Sequence, residues 1–190
     1  MRGGESCVAF FCVMKSEFTK NYFELFGLPP AFRIETARLE SAYRHLQSQV
    51  HPDRFAAATD ADKRISMQWA TRANEAYQTL KRPLSRARYL LSLRGVDTQE
   101  ETNTAMPADF LIAQMEWREA VSDARANRDV AGLGRLAGEL RASEGALLMN
   151  LENHLDGDGN LAAAALGVRK LRFVEKLREE IADAHEVLEN

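Results

Sequence analysis

The sequence predicts an all-α protein: an antiparallel helical hairpin with flanking helices, followed by a three-helix bundle. Three observations carry that expectation. Apolar residues recur at three- and four-residue spacing in successive stretches, which sets each group on one helix face. Gly27, Pro29, Pro30, Pro52, Pro83, Gly95 and Pro107 fall at the ends of those stretches, where a helix must stop or start. Charge also changes sign along the chain: Thr19–Arg94 holds 13 Lys+Arg against 7 Asp+Glu, and Gly95–Asn190 holds 10 against 19. A basic front and an acidic back fit two units meeting different partners, and they fit equally two solvated surfaces of opposite sign.

The first helical stretch is short, Asn21–Leu28, with Asn21 or Thr19 to cap its start and Gly27 suited to a left-handed C-terminal cap. Pro29-Pro30 forbids continuation. A second helix is expected over Glu35–Val50, where Leu39, Tyr43, Leu46 and Val50 form one stripe. Asp60–Leu80 is the third, with Ile65, Trp69, Ala73, Ala76, Tyr77 and Leu80 as its apolar face and acidic residues at its positive end. The two stripes predict antiparallel packing across a short polar connection. A fourth helix spans Leu84–Leu93 and stops at Gly95. Val96–Met106 is polar and flanked by breakers, hence a linker. Helices are then expected from Pro107 to Asn127, from Val130 to Leu155 and from Leu161 to Leu188. Short loops make them antiparallel neighbours, and Val174, Leu177, Ile181, Ala184 and Leu188 form the seam of the last.

Composition narrows the class. A chain of 190 residues suits one or two domains, and 45% hydrophobic with 28% charged residues is that of a soluble globular protein. Its net charge of −3 carries no nucleic-acid signature. Both cysteines, Cys7 and Cys12, lie in the first dozen residues, so no disulfide framework holds the remainder and a reducing cytoplasm is the expected compartment. The apolar run Cys7–Met14 is too short to span a bilayer and lacks a cleavage signal, so no membrane association is expected. Residues 1–18 read as an N-terminal extension without fixed structure, and Met14 as an alternative start.

The connection in the hairpin is His51-Pro52-Asp53. Proline restricts the residue before it to extended geometry, so the second helix should end at Val50. An imidazole and a carboxylate are then displayed at a stiff tip. On its own the tripeptide is also an ordinary turn. Two further features imitate sites. Asp156-Gly157-Asp158-Gly159-Asn160 resembles the start of a calcium loop, but Leu161 and Gly167 stand where such a loop needs Gly and Glu, so a turn is expected. The basic run Arg169–Arg178 is interleaved with Glu175 and followed by Glu179 and Glu180, as on a solvated helix face. Phe110, Leu111, Ile112, Met115, Trp117 and Val121 are more apolar positions than one narrow stripe needs. Either all enter the core or at least two face outward as a protein-binding patch.

Tyr22–Gly27, the helix ending at Val50, His51-Pro52-Asp53-Arg54-Phe55, Asn74–Leu80 and Pro83 resemble a J-domain in order and spacing. Lys81–Gly95, Phe110–Glu119 and Val168–Leu177 are similar to the HscB-type co-chaperones of iron–sulfur cluster assembly, and the resemblance covers about residues 20–190. It implies a J-domain over 19–94, a linker over 95–106 and a scaffold-binding bundle over 107–190, joined in an L shape. It also implies two protein partners: a DnaK-type ATPase chaperone (HscA-like) and an IscU-type iron–sulfur scaffold. His51, Pro52, Asp53, Arg38, Arg44 and Arg54 would contact the chaperone and stimulate its ATPase. Leu111, Ile112, Met115, Glu116, Glu119 and Phe173 would bind the scaffold. No cofactor, metal or catalysis by the chain itself is implied. A J-protein serving another client, or a small hydrolase using His51 and Asp53, are the alternatives.

Overall fold

The computed structural model describes residues 19–55, 58–100, 102 and 105–189, with the side chains of Pro52, Arg54 and Glu189 outside that set; the extension 1–18 therefore lies outside the described residues. Among these residues all regular structure is helical. The helices are α1 (Tyr22–Leu25), α2 (Thr36–Val50), α3 (Asp60–Lys81), α4 (Pro83–Leu93), α5 (Ala108–Ala126), α6 (Val130–Glu152) and α7 (Leu161–Glu189). A 3₁₀ turn spans Pro52–Phe55 and a π turn spans Asn153–Gly157.

The first unit starts with a reciprocal cap. Asn21 Oδ1 accepts from the Glu24 N–H at 3.0 Å, and Glu24 Oε2 accepts from the Asn21 N–H at 2.9 Å, satisfying two donors that a helix start leaves open. Gly27 then adopts φ 62°, and the Leu28 N–H closes on the Phe23 carbonyl at 2.9 Å. Helices α2 and α3 run antiparallel: Val50 meets Ser66 at one end, and Tyr43 meets Asn74 and Tyr77 further along. The Tyr43 and Tyr77 rings stack at 4.2 Å, and the Tyr43 hydroxyl donates to Asn74 Oδ1 at 2.5 Å. Leu39, Leu46 and Val50 are buried against Trp69, Ala73, Ala76 and Leu80. One expectation shifts here: Ile65 is only half-buried, and Ser66 carries the α3 stripe toward its N-terminus at 1% exposure. The sequence 66, 69, 73, 76, 80 alternates three and four, so the buried line passes through the serine. At the other end of α3, Arg86 Nη1 donates to the Leu80 carbonyl at 2.5 Å while its guanidinium lies 5.1 Å from the Phe32 ring.

Helix α4 begins on Pro83, whose missing N–H costs nothing in a first turn. It ends like α1, with Gly95 at φ 75° and the Val96 N–H closing on the Leu91 carbonyl at 2.9 Å. The chain divides into two compact units between Arg86 and Ala87, inside this helix. Three arginines tie the residues that follow it into the second unit. Arg88 holds Glu100 through two hydrogen bonds, Arg94 donates to the Leu155 carbonyl at 2.8 Å, and Arg169 donates to the Thr98 carbonyl at 3.1 Å. The described part of the 95–106 segment is thereby bonded into the second unit.

That second unit packs α5, α6 and α7 around Phe110, Val121, Ala124, Leu133, Leu136, Leu140, Val174, Leu177, Ile181 and Ala184, with Leu188 at the margin. Gly167 allows α7 close to α6: a Cβ there would stand 3.0 Å from Leu151 Cδ2. In the calcium-like stretch the side chains are consumed by the backbone. Asp158 Oδ1 accepts from the Asn160 N–H at 2.9 Å, and Asn160 Oδ1 caps α7 by accepting from the Ala163 N–H at 3.1 Å. The Asn160 N–H, with His154 beside it, holds the Asp158 carboxyl below the usual carboxylate range. In the α5–α6 turn, Arg128 sits at φ 52°, a left-handed conformation that side chains resist. Replacing it with Gly relieves about 1 kcal/mol of strain against a smaller entropic loss, so Arg128→Gly should raise the unfolding free energy by roughly 0.5 kcal/mol in urea titrations.

Candidate functional site

Each unit displays one surface. In the first, His51 adopts φ −61° and ψ 129°, because Pro52 excludes helical geometry before it. The last carbonyls of a helix have no partner within it. The Val50 carbonyl finds one in Ser66, whose hydroxyl donates at 2.7 Å in a buried setting. Phe55, at 7% exposure, anchors the far side of the 3₁₀ turn. Between these two anchors the tip faces water: the His51 side chain is 51% exposed and that of Asp53 90%. The Asp53 N–H donates to His51 Nδ1 at 3.3 Å, so the ring proton sits on Nε2 in that tautomer. The Asp53 carboxylate approaches Nδ1 at 3.6 Å. Such an open pair is poorly placed for general-base chemistry, which needs a shielded and activated partner, and well placed for display.

Ser66 is the residue that sequence reasoning missed. Its signal was a small side chain on the buried line of α3, which apolar counting passes over. Without it the Val50 carbonyl is buried and unpaired. Ser66→Ala should cost about 1–2 kcal/mol in denaturant unfolding, with the midpoint shifted and the slope unchanged.

Arg38 and Arg44 are both exposed on α2 and make no ion pair among the described residues. Six positions apart, they differ by roughly 9 Å of rise and 120° of rotation, so they border the exposed face from opposite sides. Pro52 and Arg54 supply backbone to the 3₁₀ turn, and their side chains lie outside the described residues.

The second surface is on α5. Phe110 and Val121 are buried, whereas Leu111 is 43%, Ile112 57% and Met115 72% exposed. Glu116 and Glu119 are exposed beside them. Of the two sequence alternatives the structure takes the outward-facing one. Phe173 is half-buried rather than free: its ring stacks on Trp117 at 6.5 Å, meets Phe110 edge-on at 5.9 Å, and has the Arg118 guanidinium 5.3 Å from its centroid. It is therefore packed into a ring cluster while lying beside Leu111. Among the described residues no group of acidic, His or Cys side chains is arranged to hold a metal ion, and no helix is long and apolar enough to cross a membrane.

An antiparallel hairpin presenting a His-Pro-Asp tip, followed by a helical bundle with an uncovered apolar strip, is the architecture of a J-domain co-chaperone. A family model described as the HSCB C-terminal oligomerisation domain matches residues 106–182. The co-chaperone protein HscB homolog of Chromobacterium violaceum is 58% identical over 175 residues, which span 92% of this chain and 99% of that protein. Among solved structures, chaperone HscB from Vibrio cholerae superposes with a TM-score of 0.79 at 39% identity, covering 89% of this chain and 99% of its own. Human co-chaperone HscB gives 0.81 at 32% identity, with 86% and 81% covered. The chain belongs to the HscB co-chaperone family.

Proposed function

We propose that this co-chaperone binds an IscU-type iron–sulfur scaffold with its C-terminal bundle. It then presents that scaffold to a DnaK-type (HscA-like) chaperone, whose ATPase it stimulates through the J-domain tip. The observation that carries this reading is the exposure of Leu111, Ile112 and Met115 on consecutive turns of α5, since water-facing apolar side chains in a row are stabilised by covering them with another protein. Glu116 and Glu119 add a charged border that selects and orients the partner, and Phe173, beside Leu111, extends the scaffold-binding surface onto α7. At the tip, His51, Pro52 and Asp53 engage the chaperone, with Arg38, Arg44 and Arg54 steering encounter with an acidic surface. A tip that binds the ATPase-active conformation better than the inactive one shifts the partner toward hydrolysis. The chain supplies binding energy and no catalytic group, and its expected place of action is the cytoplasm.

The test is the steady-state ATPase rate of the chaperone with this protein, with and without the scaffold. Stimulation greater with both present than the product of the separate effects is the expected result. Stimulation indifferent to scaffold would keep the J-domain role and assign another client.

A further inference from the structure

The strip on α5 has two flanks of opposite sign. A groove of about 400 Å³ opens beside it, floored by Met106, Leu111 and Phe173 and bordered by Arg172 and Lys176 of α7. Among the described residues its one carboxylate is Glu100, already engaged: the side chain is 8% exposed and held by Arg88, with Arg172 at 3.8 Å. Arg169, which also lines the groove, donates among the described residues only to the neutral Thr98 carbonyl. Lys176 is exposed and has no ion pair among the described residues. Among the described residues the groove thus holds more positive charge than Glu100 offsets, within a stretch, Gly95–Asn190, of 10 Lys+Arg against 19 Asp+Glu. At about 100° per residue, Met115 lies between Leu111 on the groove side and Ile112, Glu116 and Glu119 on the other. One edge of the apolar strip is cationic and the other anionic.

We propose that the groove receives an apolar side chain of the scaffold's docking segment, with a neighbouring carboxylate of that segment held by Arg172 and Lys176. The opposite signs of the two flanks set the direction in which the segment lies across α5. The inference rests on the scaffold-binding role of this bundle and names what that surface selects. An acidic–apolar segment is the matching occupant for two reasons. The floor is made of large apolar side chains continuous with the exposed strip through Leu111. The border would repel a cationic segment, and like charges brought together across an interface oppose binding strongly.

Association of the full chain with an IscU-type scaffold, followed by surface-immobilised kinetics at low and raised salt, tests this. Four proteins are compared: wild type, Lys176→Glu, Arg172→Glu/Lys176→Glu and Lys176→Arg. Charges at an interface rim act mainly on association rate and its salt dependence. Lys176→Glu should therefore slow association by roughly threefold and the double variant by about tenfold, with a flatter salt dependence, while Lys176→Arg keeps wild-type rates. Lys176→Glu breaks no ion pair among the described residues, so it remains informative should the Arg172 change disturb Glu100. Wild-type binding that is unchanged or tightened by Lys176→Glu overturns the groove inference alone. A wild-type chain that fails to bind the scaffold overturns the scaffold reading and this inference with it.

Discussion

His51→Gln should reduce stimulation of the partner ATPase to its basal rate while leaving the fold as stable as wild type. The two halves of that expectation come from the same geometry. The His51 side chain is half in water, its hydrogen-bond contact is the neighbouring Asp53 N–H at 3.3 Å, and it contributes nothing to the hairpin core. Substitutions at such positions change stability by about 0.5 kcal/mol or less. Glutamine keeps roughly the length and supplies an amide N–H in place of the ring N–H, but it loses the planar ring and the Nδ1 acceptor that faces Asp53. In the partner complex the same side chain becomes central. A displayed residue that contacts only the active conformation loses its whole effect when that contact goes. A loss of about 2 kcal/mol, the threshold for a dominant interface residue, lowers the increment above the basal rate roughly thirtyfold at sub-saturating co-chaperone, which leaves essentially the basal rate. The decisive comparison is ATPase stimulation beside thermal melting of the same variant. Unchanged melting with lost stimulation is expected, whereas stimulation retained by His51→Gln would remove the tip from the mechanism.

Most helices were readable from the chain because their signals are local. The α2 and α3 stripes, Gly27 and Gly95 at positive φ, and Pro83 and Pro107 at helix starts each involve residues within a turn or two of one another. The tip was readable for the same reason: Pro52 dictates the geometry of His51 through one peptide bond. What escaped was bonding between residues distant in sequence. Ser66 supports the Val50 carbonyl across 16 positions, and its polarity removed it from any apolar stripe. Arg88, Arg94 and Arg169 draw the described part of the 95–106 segment into the second unit over separations that no periodicity reports. The cationic groove is of the same kind, since it forms only when α7 lies beside α5. Phe173 was placed on the scaffold surface by resemblance, and the structure gives it a second duty in the ring cluster with Phe110 and Trp117.

That second duty separates Phe173 from the strip it lies beside, and the difference can be measured. Replacing Leu111, Ile112 and Met115 together by Ala should weaken scaffold binding by two orders of magnitude or more without lowering the melting temperature. With 43, 57 and 72% of these residues exposed, each has roughly 1 kcal/mol of burial still to gain from a partner. Three such side chains give about 3 kcal/mol, or more than a hundredfold in the dissociation constant, with the sum softened because neighbours are not additive. The folded chain loses little at Ile112 and Met115, whose truncated atoms mostly face water, and the helix preference of Ala offsets the small packing loss at Leu111. Phe173→Ala should behave otherwise. It removes a half-buried ring from a three-ring cluster, so a cost of about 2 kcal/mol in unfolding is expected together with weaker binding. Isothermal titration against the scaffold, with denaturant unfolding of each variant, checks both. Undiminished binding by the triple variant would move the scaffold off α5, whereas lost binding at unchanged stability marks the strip as the contact and Phe173 as its neighbour with a second, structural duty.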